Sequence, residues 1–190
     1  MTRPADIVIA LLGAGRASRF GADKLAQPCA GKPLGQWALE AAQATGLPVV
    51  WIAGERAPDF VTCEVARNSH ASEGMGTSVA LAARLAVERG AGALLVMLAD
   101  MPLVTTDLLA RLVEADAPSA CAYGSEPGAP ALIPATLFGE LAALSGDMGA
   151  ARVLRGRGDV SLVEASAEAL FDVDTPQALA EAERLLQSRA

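Results

Sequence analysis

The sequence predicts a three-layer α/β/α domain built on a mainly parallel sheet. Short apolar runs alternate with amphipathic segments along the chain, the pattern of repeated βαβ units. Ala93-Leu94-Leu95-Val96-Met97-Leu98-Ala99 is apolar throughout, as a central parallel strand covered on both faces should be. The first apolar run, Ile7-Val8-Ile9-Ala10-Leu11, stops at a glycine-rich turn, at the sheet edge where such folds bind ligands. A chain of 190 residues suffices for one domain, 1–190, with a full core. No repeat, low-complexity tract or linker divides it.

The elements follow in order. Ile7 to Leu12 is the first strand. Leu34 to Thr45 reads as a helix with Trp37, Leu39 and Ala41–Ala42 on its apolar side and Gly46 as its stop. Pro48 to Ile52 is the second strand, and Thr62 to Val65 a short further one. Ser72-Glu73-Gly74-Met75-Gly76-Thr77-Ser78 opens a long helix ending near Gly90. Thr106 precedes an amphipathic helix, Asp107 to Ala115, with Leu108, Leu109, Leu112 and Val113 facing inward. The second half is less regular. Ala120 to Tyr123 reads as a strand, Gly124 to Pro130 as a mobile Gly/Pro loop, and Ala131-Leu132-Ile133 as a short apolar piece. Helices are expected over Thr136 to Leu144 and Gly149 to Leu154, and strands at Leu162-Val163 and Ala169 to Val173. Thr175 as N-cap and Pro176 at the first helical position open the last helix.

The turn Leu12-Gly13-Ala14-Gly15-Arg16-Ala17-Ser18-Arg19-Phe20-Gly21-Ala22-Asp23-Lys24 is built to hold a polyphosphate. Its glycines let backbone N–H groups approach phosphates, and Arg19 and Lys24 supply charge. The chain has only two lysines, Lys24 and Lys32, both in or just after this turn, and Lys24 reads as an exposed loop residue. A P-loop needs Gly-Lys-Ser/Thr, which is absent from the turn. A dinucleotide fingerprint needs glycine where Ser18 stands and an acid at the end of the second strand, where Glu55 comes too late.

Asp100, in Ala99-Asp100-Met101-Pro102, sits at the carboxyl end of the most apolar strand. A carboxylate there, near phosphates, suits Mg²⁺, which takes one or two carboxylates plus phosphate oxygens. In Asp172-Val173-Asp174-Thr175-Pro176, residues two apart face the same way in extended chain. Asp172 and Asp174 are therefore candidate metal ligands, with helix capping as the alternative. Ser78 is either a nucleotide contact or a cap.

Net charge of -7 argues against a general nucleic-acid surface. Cys29, Cys63 and Cys121 are scattered and odd in number, which suggests a reducing cytoplasm. No apolar run is long enough for a membrane span, and the first residues lack a signal-peptide core. His70 is the only histidine, so histidine-based catalysis has nothing to build on.

Together these stretches resemble the small nucleotidyltransferases of molybdenum-cofactor maturation. The resemblance rests on Leu12-Gly13-Ala14-Gly15 with Arg19, Gly21 and Asp23-Lys24, then Gly74-Met75-Gly76-Thr77-Ser78 and Leu98-Ala99-Asp100-Met101-Pro102. Gly128-x-Pro130, Gly146-Asp147-x-Gly149-Ala150 and Asp172-x-Asp174-Thr175-Pro176 follow in the same order. The likeness runs from about residue 7 to about residue 182 and is strongest to the molybdenum cofactor cytidylyltransferases, through Gly-Met-Gly-x-Ser and Ala14. Ala17 and Ala129 depart from the serine and histidine common in that family.

The resemblance implies a Rossmann-like nucleotidyltransferase fold and a Mg²⁺-dependent transfer. CMP would pass from CTP to the terminal phosphate of the cofactor, releasing pyrophosphate. It implies catalysis by Arg19, Lys24 and Asp100. Leu12, Gly13, Ala14, Gly15, Arg19, Lys24, Ser78 and Asp100 would bind the nucleotide. Asp100, Asp174 and Asp172 would bind the metal, and Pro130 and Asp147 the acceptor. The expected partners are the NTP, a phosphorylated pterin cofactor and a molybdoenzyme that receives the product. The rival readings are another phosphorylated acceptor such as a sugar phosphate, GTP in place of CTP, and a non-catalytic carrier of the cofactor.

Overall fold

A computed structural model describes residues 6–14 and 23–189. Among them, nine strands and five α-helices follow one another. These are β1 (Ile7–Leu12), β2 (Pro28–Cys29), β3 (Lys32–Pro33), α1 (Leu34–Gln43), β4 (Val49–Ala53), β5 (Glu64–Arg67) and α2 (Met75–Glu88). β6 (Ala93–Leu98), α3 (Thr106–Glu114), β7 (Ser119–Tyr123), β8 (Glu126–Pro134), α4 (Phe138–Ala142), β9 (Ser161–Val163) and α5 (Pro176–Gln187) complete the series.

Seven of the strands form one sheet in the order β5-β4-β1-β6-β8-β7-β9, while β2 and β3 pair apart. β8 alone runs against the other six, being antiparallel to both β6 and β7. β1 is interior, pairing in parallel with β4 and with the middle strand β6, and all six of its residues are buried. Its alternating side chains divide the core, as a period of two requires. Ile7, Ile9 and Leu11 pack with Trp51, Leu95 and Met97 against α1, α3 and α5. Val8, Ala10 and Leu12 pack with Val50, Ile52 and Val96 against α2 and α4. The sheet is thus covered on both faces, the Rossmann-like α/β arrangement.

After β1 the chain crosses to β4 on one side; after β5 it returns through α2 to β6 on the other. The switch point therefore lies between the carboxyl ends of β1 and β6, where a crevice for ligands opens. The strand ends are held together there. Ala99 N donates to Leu12 O at 3.1 Å, and Gly13 N donates to Ile52 O at 2.9 Å.

Several expected elements are corrected. The stretch expected as a mobile loop, Gly124 to Pro130, is largely strand: β8 starts at Glu126 and continues through Pro134. Turn-forming residues hid this: Pro130 falls at the irregularity in the pairing with β7, and Pro134 ends the strand, positions where a sheet tolerates proline. Ala169 to Val173 is not a strand. It is a turn followed by extended chain with one tie to the strand ends, Val173 N to Asp100 O at 3.0 Å. The strand expected over Thr62 to Val65 is β5, Glu64–Arg67, which begins two residues later. In α3 the cap is Thr105, which accepts from Leu108 N, so Thr106 is already helical. The helix expected over Thr136 to Leu144 is a 3-10 turn, Ala135–Leu137, followed by α4, and Gly149 to Leu154 holds only the 3-10 turn Ala150–Val153. α5 opens as expected, with Thr175 accepting from Ala178 N.

Candidate active site

Lys24, Asp100 and Asp174, separated by up to 150 positions in sequence, meet at the switch point. Lys24 opens the 3-10 turn Lys24–Ala26, which Asp23 caps through its carboxylate. Asp100 follows β6 directly, and the Val173–Asp100 backbone bond lays the segment carrying Asp172 and Asp174 beside it. Lys24 Nζ donates to Asp100 Oδ2 at 2.8 Å and to Asp174 Oδ1 at 3.0 Å. The Lys24 side chain is only 12% exposed, so it is a cleft residue rather than the exposed loop lysine expected. Neither Asp172 nor Asp174 caps α5, since Thr175 does.

Among the described residues, the site carries more negative than positive charge, Lys24 against Asp100, Asp172 and Asp174. Burial by itself would lower the Lys24 ammonium, but the charge and hydrogen bond of Asp100, joined by Asp174, outweigh it and hold it above its ordinary value. Burial pushes the Asp100 carboxyl up despite Lys24, and the charges of Asp174 and Asp172 push it the same way. Asp100 Oδ1 is buried and has no hydrogen-bond partner among the described residues. An unpartnered carboxylate oxygen with further carboxylate charge nearby fits a hard, oxygen-seeking dication. No ready-made cluster of three or more ligating side chains occurs among the described residues, so nucleotide phosphates would have to complete the shell.

A cavity beside this triad is lined by Leu12, Ala14, Lys24, Met75, Ser78 and Asp100, among others. Gly13, between the lining residues Leu12 and Ala14, packs on Trp51, whose indole a β-carbon there would meet at 2.3 Å. Ser78 is buried and its hydroxyl accepts from Asn68 Nδ2 at 2.9 Å; it caps nothing, because α2 begins after Gly74. Gly15 and Arg19 lie outside the described residues.

A second cavity shares the wall formed by Leu12, Met75 and Leu98 and extends over β8, with Tyr123, Gly128, Asp147 and Arg155 around it. Pro130, expected there, is buried inside β8, and its neighbours Ala129 and Ala131 face the cavity instead. Asp147 is exposed on its wall. The two cavities are mechanically joined. Gly76 N donates to Gly146 O at 2.7 Å, and a β-carbon on Gly74 would meet the Gly146 backbone at 2.3 Å. That close approach explains the glycines of Gly74-Met75-Gly76, a reason the sequence alone did not supply. Asn68, Trp51, Tyr123 and Arg155 escaped sequence reasoning because no motif contains them.

Residues 9–165 match the MobA-like NTP transferase domain. The chain belongs to that family. It is a nucleotidyltransferase. It is 35% identical over 189 residues to the purine catabolism protein PucB of Bacillus subtilis (strain 168), covering 87% of this chain and 90% of that protein. It is 28% identical to Rv0371c of Mycobacterium tuberculosis H37Rv, with TM-score 0.72 over 95% of this chain and 98% of the other. A further structure of Rv0371c is a complex with manganese. A nucleotidyl transferase from Methanothermobacter shares the fold, with TM-score 0.81 at 19% identity over 97% and 99% of the two chains. No helix among the described residues is long and apolar enough to cross a membrane.

Proposed function

We propose that this MobA-like enzyme, acting as one nucleotidyltransferase domain over its whole length, transfers CMP from CTP onto the terminal phosphate of a molybdenum cofactor and releases pyrophosphate. The observation that carries the reading is the Lys24–Asp100–Asp174 triad beside a cavity that shares a wall, Leu12, Met75 and Leu98, with a second one, so that each substrate has its own space.

In this reaction a terminal phosphate oxygen of the acceptor attacks the α-phosphorus of the nucleotide in line. The bond from that phosphorus to the bridging oxygen breaks, and pyrophosphate leaves with the electron pair. Positioning and charge do the catalysis, so no covalent residue is needed. Lys24 has three ammonium hydrogens, two of them given to Asp100 and Asp174, which leaves one for a phosphate oxygen in the cavity. Arg19 adds a second charge on the triphosphate. Asp100 and Asp174, with Asp172 as the lesser candidate and phosphate oxygens completing the shell, would hold Mg²⁺, whose contribution when bound is to neutralise the triphosphate and the leaving pyrophosphate. Leu12, Gly13, Ala14, Gly15 and Ser78 hold the nucleoside, and Asp147 the acceptor loop. The manganese complex of the mycobacterial relative supports a divalent ion.

Ala14 supports CTP over GTP, because its methyl group narrows the nucleotide cavity relative to glycine. The three unpaired cysteines support a reducing cytoplasm, where a molybdoenzyme would take up the product. Pyrophosphate release with each of the four NTPs, with and without molybdopterin cofactor, tests the whole reading. Release with CTP that depends on the cofactor is expected. Release with GTP alone would make the enzyme a guanylyltransferase, release only with a sugar phosphate would change the acceptor, and binding without release would make it a carrier.

A further inference from the structure

Asn68 follows β5 and is 5% exposed, one of the few polar side chains buried in the core. Its amide orientation is fixed by the backbone: His70 N donates to Oδ1 at 3.0 Å, which only the oxygen end can accept. The Nδ2 group must therefore point the other way, and both its hydrogens are used. It donates to Thr77 Oγ1 at 2.8 Å and to Ser78 Oγ at 2.9 Å. The Thr77 hydroxyl gives its own hydrogen to a backbone carbonyl, with His70 O and Gly74 O both at 2.9 Å. Ser78 is different. Its oxygen accepts from Asn68, and its hydrogen meets no acceptor among the described residues, while the residue lines the nucleotide cavity.

We infer that Asn68 is a positioning residue that fixes the Ser78 hydroxyl as a hydrogen-bond donor aimed at an acceptor atom on the nucleoside. The inference rests on the nucleotide-binding reading above and assigns the polarity of one contact within it. A serine in open surroundings can give or take a hydrogen bond; one already accepting from a locked amide is left with its hydrogen to offer. The backbone bond of Asn68, from its N to Ala53 O at 2.8 Å, ties this switch of polarity to the end of β4 rather than to a mobile loop.

Asn68→Asp tests it with almost no change of shape. A carboxylate only accepts, so Ser78 would turn its hydrogen onto it and present a bare oxygen to the nucleoside. Calorimetric binding of CTP with Mg²⁺ should weaken about tenfold, the factor for one hydrogen bond. Binding of inorganic tripolyphosphate, which has no nucleoside, should be unchanged. In a Ser78→Ala background the same substitution should add nothing, because there is no hydroxyl left to orient. Asn68→Ala, read in the same cycle, serves if the new buried carboxylate unfolds the protein, which its melting curve reveals. An equal loss with and without Ser78, or a loss for tripolyphosphate too, would reduce Asn68 to a structural role and overturn the inference. Should the wild type bind GTP rather than CTP, the cycle is run with GTP: the cytidylyl reading then falls while this one is still decided. A wild type that binds no nucleotide overturns both.

Discussion

The ammonium of Lys24 bridges the carboxylates of Asp100 and Asp174, at 2.8 and 3.0 Å. A single lysine thus holds together a strand end and a segment far along the chain, and it occupies the place where carboxylate charge would attract a dication. Lys24→Ala should lower turnover by roughly two to three orders of magnitude, as loss of one electrostatic stabiliser of a charged transition state does. Without nucleotide, the same variant should bind Mn²⁺ more tightly in an electron-spin-resonance titration, since a competing cation has gone. Near-normal turnover in a folded protein would remove Lys24 from the mechanism, and weaker Mn²⁺ binding would mean the carboxylates need it for their placement.

Asp100→Asn, Asp174→Asn and the double variant should lose divalent-dependent transfer to a similar extent, because one missing ligand already empties a shared site. Losses that multiply would make Asp174 an independent contributor. Asp172→Asn should cost less, and a larger loss there would mean that the wrong member of the pair has been chosen. Stability should respond differently from activity. Burial raises Asp100 in the folded state, so its ionisation opposes folding and that cost grows as pH rises through its titration. Asp100→Asn should therefore melt no lower than the wild type at neutral pH.

Gly76→Ala places a β-carbon 2.6 Å from Ser145 O, a backbone atom that cannot step aside cheaply. The cost should be about 1–3 kcal/mol, as for other overpacked sites. Gly139, within α4, has open space where a methyl would go, with nothing within 4 Å, and Gly139→Ala should stabilise by about 0.5–1 kcal/mol. Paired denaturant titrations check this, and equal effects at the two glycines would contradict the close contact.

Burial pushes the Cys29 thiol, beside Glu183, up to about 11, and the Cys121 thiol up to about 12 against the pull of Arg111. Burial also raises Tyr123 to about 12, helped by Cys121, Asp172 and Asp100. These acids stay neutral in the folded protein while the unfolded chain loses their protons from about pH 9 upward. Their contribution to stability is complete below that pH and is lost as pH rises towards 11 to 12. Melting temperature should hold steady from pH 7 to 8.5 and fall above 9. At pH 8 a maleimide should label Cys63 first, since Cys29 and Cys121 are buried. Rapid labelling of Cys29 in the folded protein would refute its burial.

The sequence by itself determined the alternating α/β order and the central strand, and it singled out the candidates for phosphate and metal. Those signals are local: Ala93 to Ala99 announces burial on both faces, and Thr175-Pro176 announces a helix start, whatever the rest of the chain does. The family motifs likewise follow the chain in order, so the resemblance needed no contacts. Only the tertiary structure decided that β8 is a strand, because its prolines and glycines read as a loop until β6 and β7 supply partners on both sides. Only it turned Lys24 from a loop lysine into a half-buried bridge, brought Gly76 against Ser145, and gave Asn68 its hold on Ser78. Each of these depends on atoms that are distant in sequence and meet only when the sheet has assembled, and a linear pattern carries no signal for such meetings.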